Sequence, residues 1–540
     1  MKKESTPFIS IVIPAYNEER RLGVTIDEIK GFCEKKNWPY EIIVVDDGSK
    51  DNTLSVVKEK IKKLKDGSIT AIEMSKNQGK GACVKKGVLN AKGEIISFMD
   101  ADLPYSLDSL ALMVDAIKNG FDIAIGGRDL KESKADISYG ILRKISGRSY
   151  SILIQLLLFK GIPDTQCGFK TFRKDIAKRI FSIITIKGFG FDVELLFIAK
   201  KWNLKIKRVP VIFTHSHDSK VKLIRDSIKM FIDLFKIKNN NKNGLYEYSV
   251  IGSTLINCPL CDHNSSIPLF GIDGYRVVKC EKCSFCFLNP LPSLESIKSF
   301  YSDKYFDSSN ELSKGYSQYR NMDEYRVVTF KKILSSIPWK TKKKRLLDLG
   351  CGEGYLMEAA SLIFDHVEGI DISHEACEKV KEKGFVCHEG DLNDIAFPEN
   401  SFDAVCISDV LEHIPFPKKM MKRVAQILKP KGELFIITPN IDSFVARLSG
   451  KRWISFKFPE HIAFYSPSTI RFLLNNTGFE LIKIFPVGQY SDFYFLLPRI
   501  KKSWPKIGKI VEFLLRTFHL MNIKIYAPTG GMGVFARVKK

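Results

Sequence analysis

FMDADLP, residues 98–104, closes an apolar run on two aspartates, Asp100 and Asp102. The run EIISFMD that leads into it has the length and composition of a buried strand. Side chains alternate along a strand, so positions i and i+2 share a face and both carboxylates point the same way. Two unpaired carboxylates buried together would repel and lose hydration. A hard cation at the strand's mouth removes that cost, and so does open solvation at a loop entrance; the stretch alone does not choose. The same pattern extends on both sides. FISIVIPAY (8–16), EIIVVDD (41–47) and FDIAIGG (121–127) alternate with helical stretches over residues 8–235, as in a parallel α/β sheet. Ligands of such sheets bind beyond the carboxyl ends of the strands. Pro14, Tyr16 and Glu18 follow the first strand there, and Asp46 and Asp47 end the second.

IPAYNEE, VVDDGSKDNT, NQGKG, MDADLP, DTQCGFK and FGFDVELL occur in this order. The set resembles a family 2 glycosyltransferase of the GT-A fold, within the dolichyl- or polyprenyl-phosphate sugar synthases. DTQCGFK followed by FDVELL is most similar to the dolichyl-phosphate glucosyltransferases. The resemblance implies a nucleotide-sugar site built from Pro14, Tyr16, Glu18, Asp46, Asp47, Lys80, Asp100 and Asp102. It makes Asp100 and Asp102 ligands of Mg²⁺ or Mn²⁺ held against the sugar diphosphate, chemistry that suits hard oxygen donors. UDP-glucose is the favoured donor, with GDP-mannose as the second candidate. A lipid monophosphate acceptor is already anionic near neutrality, so no dedicated base is required. Asp102, Arg128 and Arg143 are the expected catalytic residues, the arginines holding the acceptor phosphate. Asp164, Gln166, Asp192 and Glu194 lie in the same motifs, some of them as braces of the fold. A saccharide acceptor is the alternative, and it would call for a carboxylate base.

The chain has 540 residues, a net charge of +23 and 44% hydrophobic residues. Residues 1–245 carry 44 Lys+Arg against 29 Asp+Glu, so most of the excess is N-terminal. Such an excess fits an anionic substrate or membrane as well as a lysine-rich surface. The richest apolar run, SILIQLLLF (151–159), is half the length of a membrane span. The N-terminus lacks an apolar signal core, which predicts a cytoplasmic protein. KLIRDSIKMFIDLFKIK (222–238) puts Ile224, Ile228, Phe231 and Phe235 on one helical stripe among cations. That face either lies on the cytoplasmic face of an anionic membrane or packs on its own domain. RKISGRSYSILIQLLLF (143–159) is a second such stretch, and KIKNNNKNG (236–244) reads as a polar linker.

Twelve cysteines look at first like a disulfide framework, but five fall within 258–286. CPLC and CEKC, separated by eighteen residues, give two C-x2-C knuckles. Cys258, Cys261, Cys280 and Cys283 can present four thiolates to one structural Zn²⁺. Cys286 is left over. With few apolar residues between the pairs, metal binding should supply much of this unit's folding energy. The few cations interleaved among the knuckles give no reason to expect nucleic acid as a partner.

From residue 340 strands and helices alternate again. LLDLGCGEGY (346–355) places Gly350, Gly352 and Gly354 at a strand-to-helix turn, and HVEGIDI ends the next strand on Asp371. Glycines let a nucleotide approach the backbone, and a carboxylate there can pair with ribose hydroxyls. GDLND (390–394), SFDAVCISDVLEHI (401–414), LKPKGELFIITPN (428–440) and PEHIAFYSPSTIRFLLNNTGFE (459–480) follow. The series resembles class I S-adenosylmethionine methyltransferases, in the group where a cysteine ribbon precedes the domain and sugars are common acceptors. The resemblance implies that Asp348, Gly350, Gly352, Gly354 and Asp371 bind the cofactor, with Asp391 near the adenine. A hydroxyl acceptor needs a base; His461 or His413 could serve, or either could be structural. The expected architecture is therefore α/β throughout. Residues 1–245 form a GT-A nucleotide-sugar domain, 256–290 a zinc ribbon, and 291–540 a Rossmann-like methyltransferase. The rival for the last region is a binding module without catalysis.

Overall fold

The computed structural model describes residues 6–64, 67–135, 141–213, 223–247, 254–293, 323–340 and 344–539. The chain divides into two compact units, Met1–Tyr248 and Ser249–Lys540.

In the first unit the strands are β1 (Ile9–Ala15), β2 (Tyr40–Asp46), β3 (Ile69–Glu73), β4 (Ile95–Phe98) and β5 (Ile123–Gly127). A two-residue β6 (Lys134–Ala135) precedes β7 (Lys170–Arg173), β8 (Ile206–Pro210) and β9 (Ile212–Phe213). Seven of them form one sheet in the order β3-β2-β1-β4-β7-β5-β8. Only β7 runs antiparallel, between β4 and β5. The sheet is buried on both faces, with Val12, Phe98 and Phe172 in one core and Ile11, Ile13 and Val44 in the other. That two-sided burial is why the strands read as continuous Ile/Val runs rather than alternating ones. Because β7 is antiparallel, the loop that leads into it (164–169) emerges at the same edge of the sheet as the loops that follow the parallel strands.

The stretch 236–244 is not a linker. It continues the helix Leu223–Lys242, because Leu234 and Ile237 bury against the first unit. Asn240 adds hydrogen bonds from Nδ2 to the hydroxyls of Thr185 and Tyr246 at 2.9 and 3.0 Å. The predicted stripe on this helix lies on the other side: Ile228, Phe231 and Phe235 are exposed, and the Ile224 side chain lies outside the described residues.

The second unit contains β10 (Ser266–Ile272), β11 (Tyr275–Cys280), β12 (Cys286–Leu288), β13 (Arg345–Leu349), β14 (His366–Asp371) and β15 (Val386–Glu389). β16 (Phe402–Ser408), β17 (Leu428–Pro439), β18 (Ala463–Phe464), β19 (Phe479–Ser491) and β20 (Ile525–Val538) complete it. Its large sheet has the order β15-β14-β13-β16-β17-β20-β19. β13 to β17 pair in parallel and β20 is antiparallel to both neighbours. The order reverses between β13 and β16, the switch point at which open α/β sheets bind ligands. The cysteine-bearing strands do not pack apart from this sheet's core. β12 pairs with β18, and Phe285 and Leu288 share one apolar cluster with Leu347 and Ile436.

Candidate active sites

In the first unit every acidic motif residue meets a donor. At the end of β4, Lys80 Nζ lies 2.5 Å from Asp100 Oδ1, and Arg21 lies 3.7 Å from Asp102 Oδ2. Lys80 opens the helix Lys80–Asn90. Burial works against its charge, but Asp100, Asp192 and Asp102 outweigh that and hold its pKa above the ordinary lysine value. Gly168 makes the close approach feasible: a Cβ there would stand 3.0 Å from both the Asp100 carboxyl carbon and Lys80 Nζ. Both aspartates keep about a quarter or more of their side-chain surface open, at 30% and 25%. The opening question thus resolves into a pair of partly open carboxylates bordered by two cations.

Asp46 and Asp47 are buried and engaged. Asp46 accepts from the Ser49 backbone N–H at 3.1 Å and from its hydroxyl. Asp47 accepts from the backbone N–H groups of Gln78 and Gly79 at 2.7 and 2.8 Å, which shapes the NQGKG loop. Glu18 accepts from Arg21 Nε at 3.0 Å, while Pro14 and Tyr16 lie half-buried at the end of β1. Arg128 is a two-pronged partner of Asp164, donating from Nε at 2.9 Å and Nη2 at 2.7 Å. Burial opposes ionisation of Asp164, but Arg128 outweighs it and holds the carboxyl below its usual range. Lys170 donates to the Cys167 carbonyl at 2.6 Å and pairs with buried Asp192 at 2.5 Å. Glu194 accepts from the Thr185 hydroxyl, the Ile186 N–H and the Tyr246 hydroxyl at 2.7, 2.8 and 2.6 Å, so it braces the fold. Gln166 is different: its buried Nε2 donor has no partner. Arg143 lies in the helix Ile141–Leu157, and its side chain is outside the described residues.

In the second unit, Gly350, Gly352 and Gly354 all have positive φ (73°, 51° and 80°), a turn that other residues enter only with strain. Asp371, at the end of β14, accepts from the Gly352 N–H and the Ser373 N–H, both at 2.9 Å. Burial nevertheless raises its pKa. Asp348 is 2% exposed; burial, then Asp371 and Cys387, push it up to about 8. Asp391 is exposed and forms an Asx turn, accepting from the Asn393 N–H at 2.8 Å.

Beyond β16 a second group converges. Glu412, His413 and His461 bring their ligand atoms within 4.8 Å of one another. The two imidazole rings stand edge to face at 4.7 Å. The Thr438 hydroxyl donates to Glu412 Oε2 at 3.0 Å, and His413 Nδ1 lies 2.9 Å from the Glu460 carbonyl. Glu412 Oε1 and His461 Nδ1 are buried with no partner. Burial, then Asp409, push Glu412 up to about 8; burial brings His413 down to about 4 and holds His461 well below the ordinary value. Val410, two residues before Glu412, touches the Gly350 turn, where it would block a Cβ. The group therefore borders the glycine loop. Sequence reading found the histidines singly and missed Glu412. LEH and PEH stand 48 residues apart, and nothing local says that they meet.

The four cysteines of the knuckles gather their sulfurs within 4.8 Å of one another, with Cys258–Cys283 and Cys261–Cys280 both at 3.5 Å. Tetrahedral thiolates around Zn²⁺ at about 2.3 Å stand roughly 3.8 Å apart, so the set fits that ion. The knuckles repeat one backbone turn: the Asp262 N–H donates to the Cys258 carbonyl, the Ser284 N–H to the Cys280 carbonyl, and both Asp262 and Ser284 have positive φ. Cys286 lies on β12, outside the group.

Comparison with known proteins agrees with both sheets. Residues 10–181 match the family model "Glycosyl transferase family 2". The chain is 35% identical over 250 residues to the dolichyl-phosphate β-glucosyltransferase of Dictyostelium discoideum, covering 44% of this chain and 76% of that protein. The chain belongs to glycosyl transferase family 2. The Homo sapiens dolichyl-phosphate β-glucosyltransferase is 34% identical over 244 residues, covering 43% of this chain and 75% of that one. Residues 320–484 match the model "Methyltransferase domain". Among solved structures, a SAM-dependent methyltransferase of Thermotoga maritima aligns at 16% identity and a TM-score of 0.30, covering 44% of this chain and all of that one. The protein is thus a glycosyltransferase of GT-A type joined to a class I methyltransferase with a Rossmann-like sheet. Among the described residues, no helix is long and apolar enough to cross a membrane.

Proposed function

We propose that the glycosyltransferase unit moves glucose from UDP-glucose to a polyprenyl phosphate of the dolichyl type, and that the methyltransferase unit methylates a sugar or glycan. The observation that carries the first half is the Asp100–Asp102 pair at the mouth of β4, bordered by Lys80 and Arg21. The names of the similar proteins supply the donor sugar and the acceptor class. Asp100 and Asp102 would hold Mg²⁺ or Mn²⁺, which would supply positive charge to the leaving diphosphate. Lys80 adds a fixed positive charge, and the unpartnered Gln166 amide is free to donate to the sugar diphosphate. Pro14, Tyr16 and Glu18 border the nucleotide, while Asp46 and Asp47 shape its loops. The acceptor phosphate is assigned to Arg128, which Asp164 orients, and, on its sequence motif alone, to Arg143. The acceptor is already ionised, so placement and charge neutralisation supply most of the catalysis. The exposed Ile228, Phe231 and Phe235 face would seat this unit on the cytoplasmic side of the membrane that carries the acceptor.

In the second unit the turn Gly350–Gly354, Asp348, Asp371 and Asp391 would hold S-adenosylmethionine, which would supply an electrophilic methyl group. His461 Nδ1 would take the proton of the acceptor hydroxyl. Glu412 supports the resulting imidazolium. Cys258, Cys261, Cys280 and Cys283 hold a structural Zn²⁺.

The test is label transfer. The purified chain is incubated with polyprenyl phosphate, Mg²⁺ or Mn²⁺ and labelled UDP-glucose or GDP-mannose. Label entering the organic phase from UDP-glucose, and lost in Asp102→Ala, is the expected result. Slow donor hydrolysis without extractable label would replace the lipid acceptor with a saccharide.

A further inference from the structure

The methyltransferase sheet carries a helical insertion. Between β19 and β20 the chain leaves the sheet and folds into two packed helices, Phe493–Ser503 and Pro505–Thr517. They close on a small core of their own: Leu497, Leu515 and Met521, with Phe493, Val511 and Leu520 against it. The inner face of the second helix is accounted for by Val511 and Leu515, and by Gly508, which lies against the Lys501 backbone. The outer face has no such cover. Ile507, Ile510, Phe513, Leu514 and Phe518 are spaced as one helical face, and all are exposed, Ile510 at 61%, Phe513 at 69% and Phe518 at 65%. Tyr494 and Ile523 are exposed as well, on segments joined by the Phe493 N–H to Met521 carbonyl hydrogen bond at 3.1 Å.

What covers this face is indicated by its charge. Residues 499–524 hold seven Lys/Arg and a single acidic residue, Glu512. Glu512 is itself paired with Lys501 and with Arg516 at 3.2 Å. Lys502, Lys506, Lys509 and Lys524 are exposed around the apolar stripe. A surface of large apolar side chains edged by cations, with its one carboxylate already neutralised, matches the interfacial helix of a peripheral protein. The apolar stripe enters the acyl boundary, and the basic edge meets anionic headgroups.

We propose that the helical pair 493–517 is a membrane-docking element of the methyltransferase unit, and that its ligand is an anionic lipid surface. The element is independent of the helix Leu223–Lys242 in the glycosyltransferase unit. The proposal does not rest on the lipid-phosphate acceptor, since it concerns where the second unit lies and not what the first unit glycosylates.

The experiment uses the full chain and vesicles of phosphatidylcholine with or without about one-third phosphatidylglycerol. Hydrogen exchange along 505–518 reads the local contact, and co-sedimentation reads overall binding. Anionic vesicles should slow exchange in this segment, and neutral ones should not. Ile510→Glu with Phe513→Glu should remove the protection and lower co-sedimentation roughly tenfold. Lys506→Glu with Lys509→Glu, which leaves every apolar contact in place, should lower it several-fold and more at low salt. S-adenosylmethionine binding should be unchanged in both, which shows the fold to be intact. Unchanged exchange on anionic vesicles would overturn the proposal. So would a chain that is dimeric by light scattering and becomes monomeric in Ile510→Glu with Phe513→Glu without any vesicle effect, because the patch would then be a contact between copies. Sugar transfer to a soluble acceptor analogue proceeds either way, so failure here is separate from failure of the assigned reaction.

Discussion

The two α/β units both place carboxylates at the carboxyl ends of parallel strands and surround them differently. In the glycosyltransferase unit Asp100 faces Lys80 and Asp102 faces Arg21, while Asp46 and Asp47 are held by hydroxyl and backbone N–H donors. In the methyltransferase unit burial dominates, and it raises the pKa values of Asp348, Asp371 and Glu412. The difference follows the ligands proposed for them. A sugar diphosphate is a polyanion, so its site needs surplus positive charge and a metal between the aspartates and the phosphates. A sulfonium donor is a cation, so its site gains from carboxylates that ionise fully only when that charge arrives.

The largest effect expected from breaking this contrast is on methyl transfer. His461→Asn should lower its rate by about two to four orders of magnitude, the usual worth of a general base, with S-adenosylmethionine affinity little changed. Glu412→Gln should fall in the same direction by a smaller factor. Turnover measured against donor affinity separates this from a structural role, which would weaken both.

In the glycosyltransferase unit, Lys80→Met should cost roughly a hundredfold in sugar transfer, the scale of one lost charge-stabilising donor. Gly168→Ala should cost less, since its methyl group pushes the Asp100 carboxylate away from Lys80. Neither should change methyl-donor binding, which calorimetry checks.

Zinc removal should affect one unit only. A chelator, or Cys280→Ser, should melt the knuckles and expose Phe285 and Leu288, which share a core with the methyltransferase sheet. Two thermal transitions should then separate: the methyltransferase transition falls by several degrees and the glycosyltransferase one stays.

The smallest effect is on pH dependence. Asp348 and Glu412 sit at about 8 in the folded, ligand-free protein, so they are largely protonated at neutral pH. A cationic donor held by the glycine turn favours the ionised form of Asp348. Donor affinity should therefore rise between pH 6.5 and 8.5, by up to about twentyfold, with proton release on binding. Without donor the sign is opposite. The folded state holds protons that the unfolded chain sheds near the ordinary carboxylate values of 3.8 and 4.5. The stability these groups contribute is complete below about pH 4 and is lost as pH rises toward 8.

The sequence made both sheets legible because each strand is a short Ile/Val-rich run ending in a motif, and a doubly covered sheet demands that pattern. The cysteine knuckles were legible for a similar reason, since a metal fixes ligand spacing. Three features were not. The end of the helix Leu223–Lys242 is Asn- and Lys-rich and reads as a linker until Ile237 and Asn240 are seen to contact distant residues. Asp47 reads as a ligand residue, and nothing local announces that its carboxylate also holds the backbone of a loop 31 residues away. Glu412 and His461 come together only when β16 and the segment before β18 are adjacent. Local periodicity reports an element and its faces; it does not report which loops converge.

The central claim is that one chain holds two separate catalytic sites of opposite charge character. The most direct measurement compares wild type, Asp102→Ala and Asp371→Ala for metal-dependent sugar transfer and for S-adenosylmethionine binding by calorimetry. The account predicts that Asp102→Ala abolishes transfer and binds the methyl donor normally, while Asp371→Ala binds it at least tenfold more weakly and transfers sugar normally. Sugar transfer that survives Asp102→Ala with its metal dependence intact would contradict it.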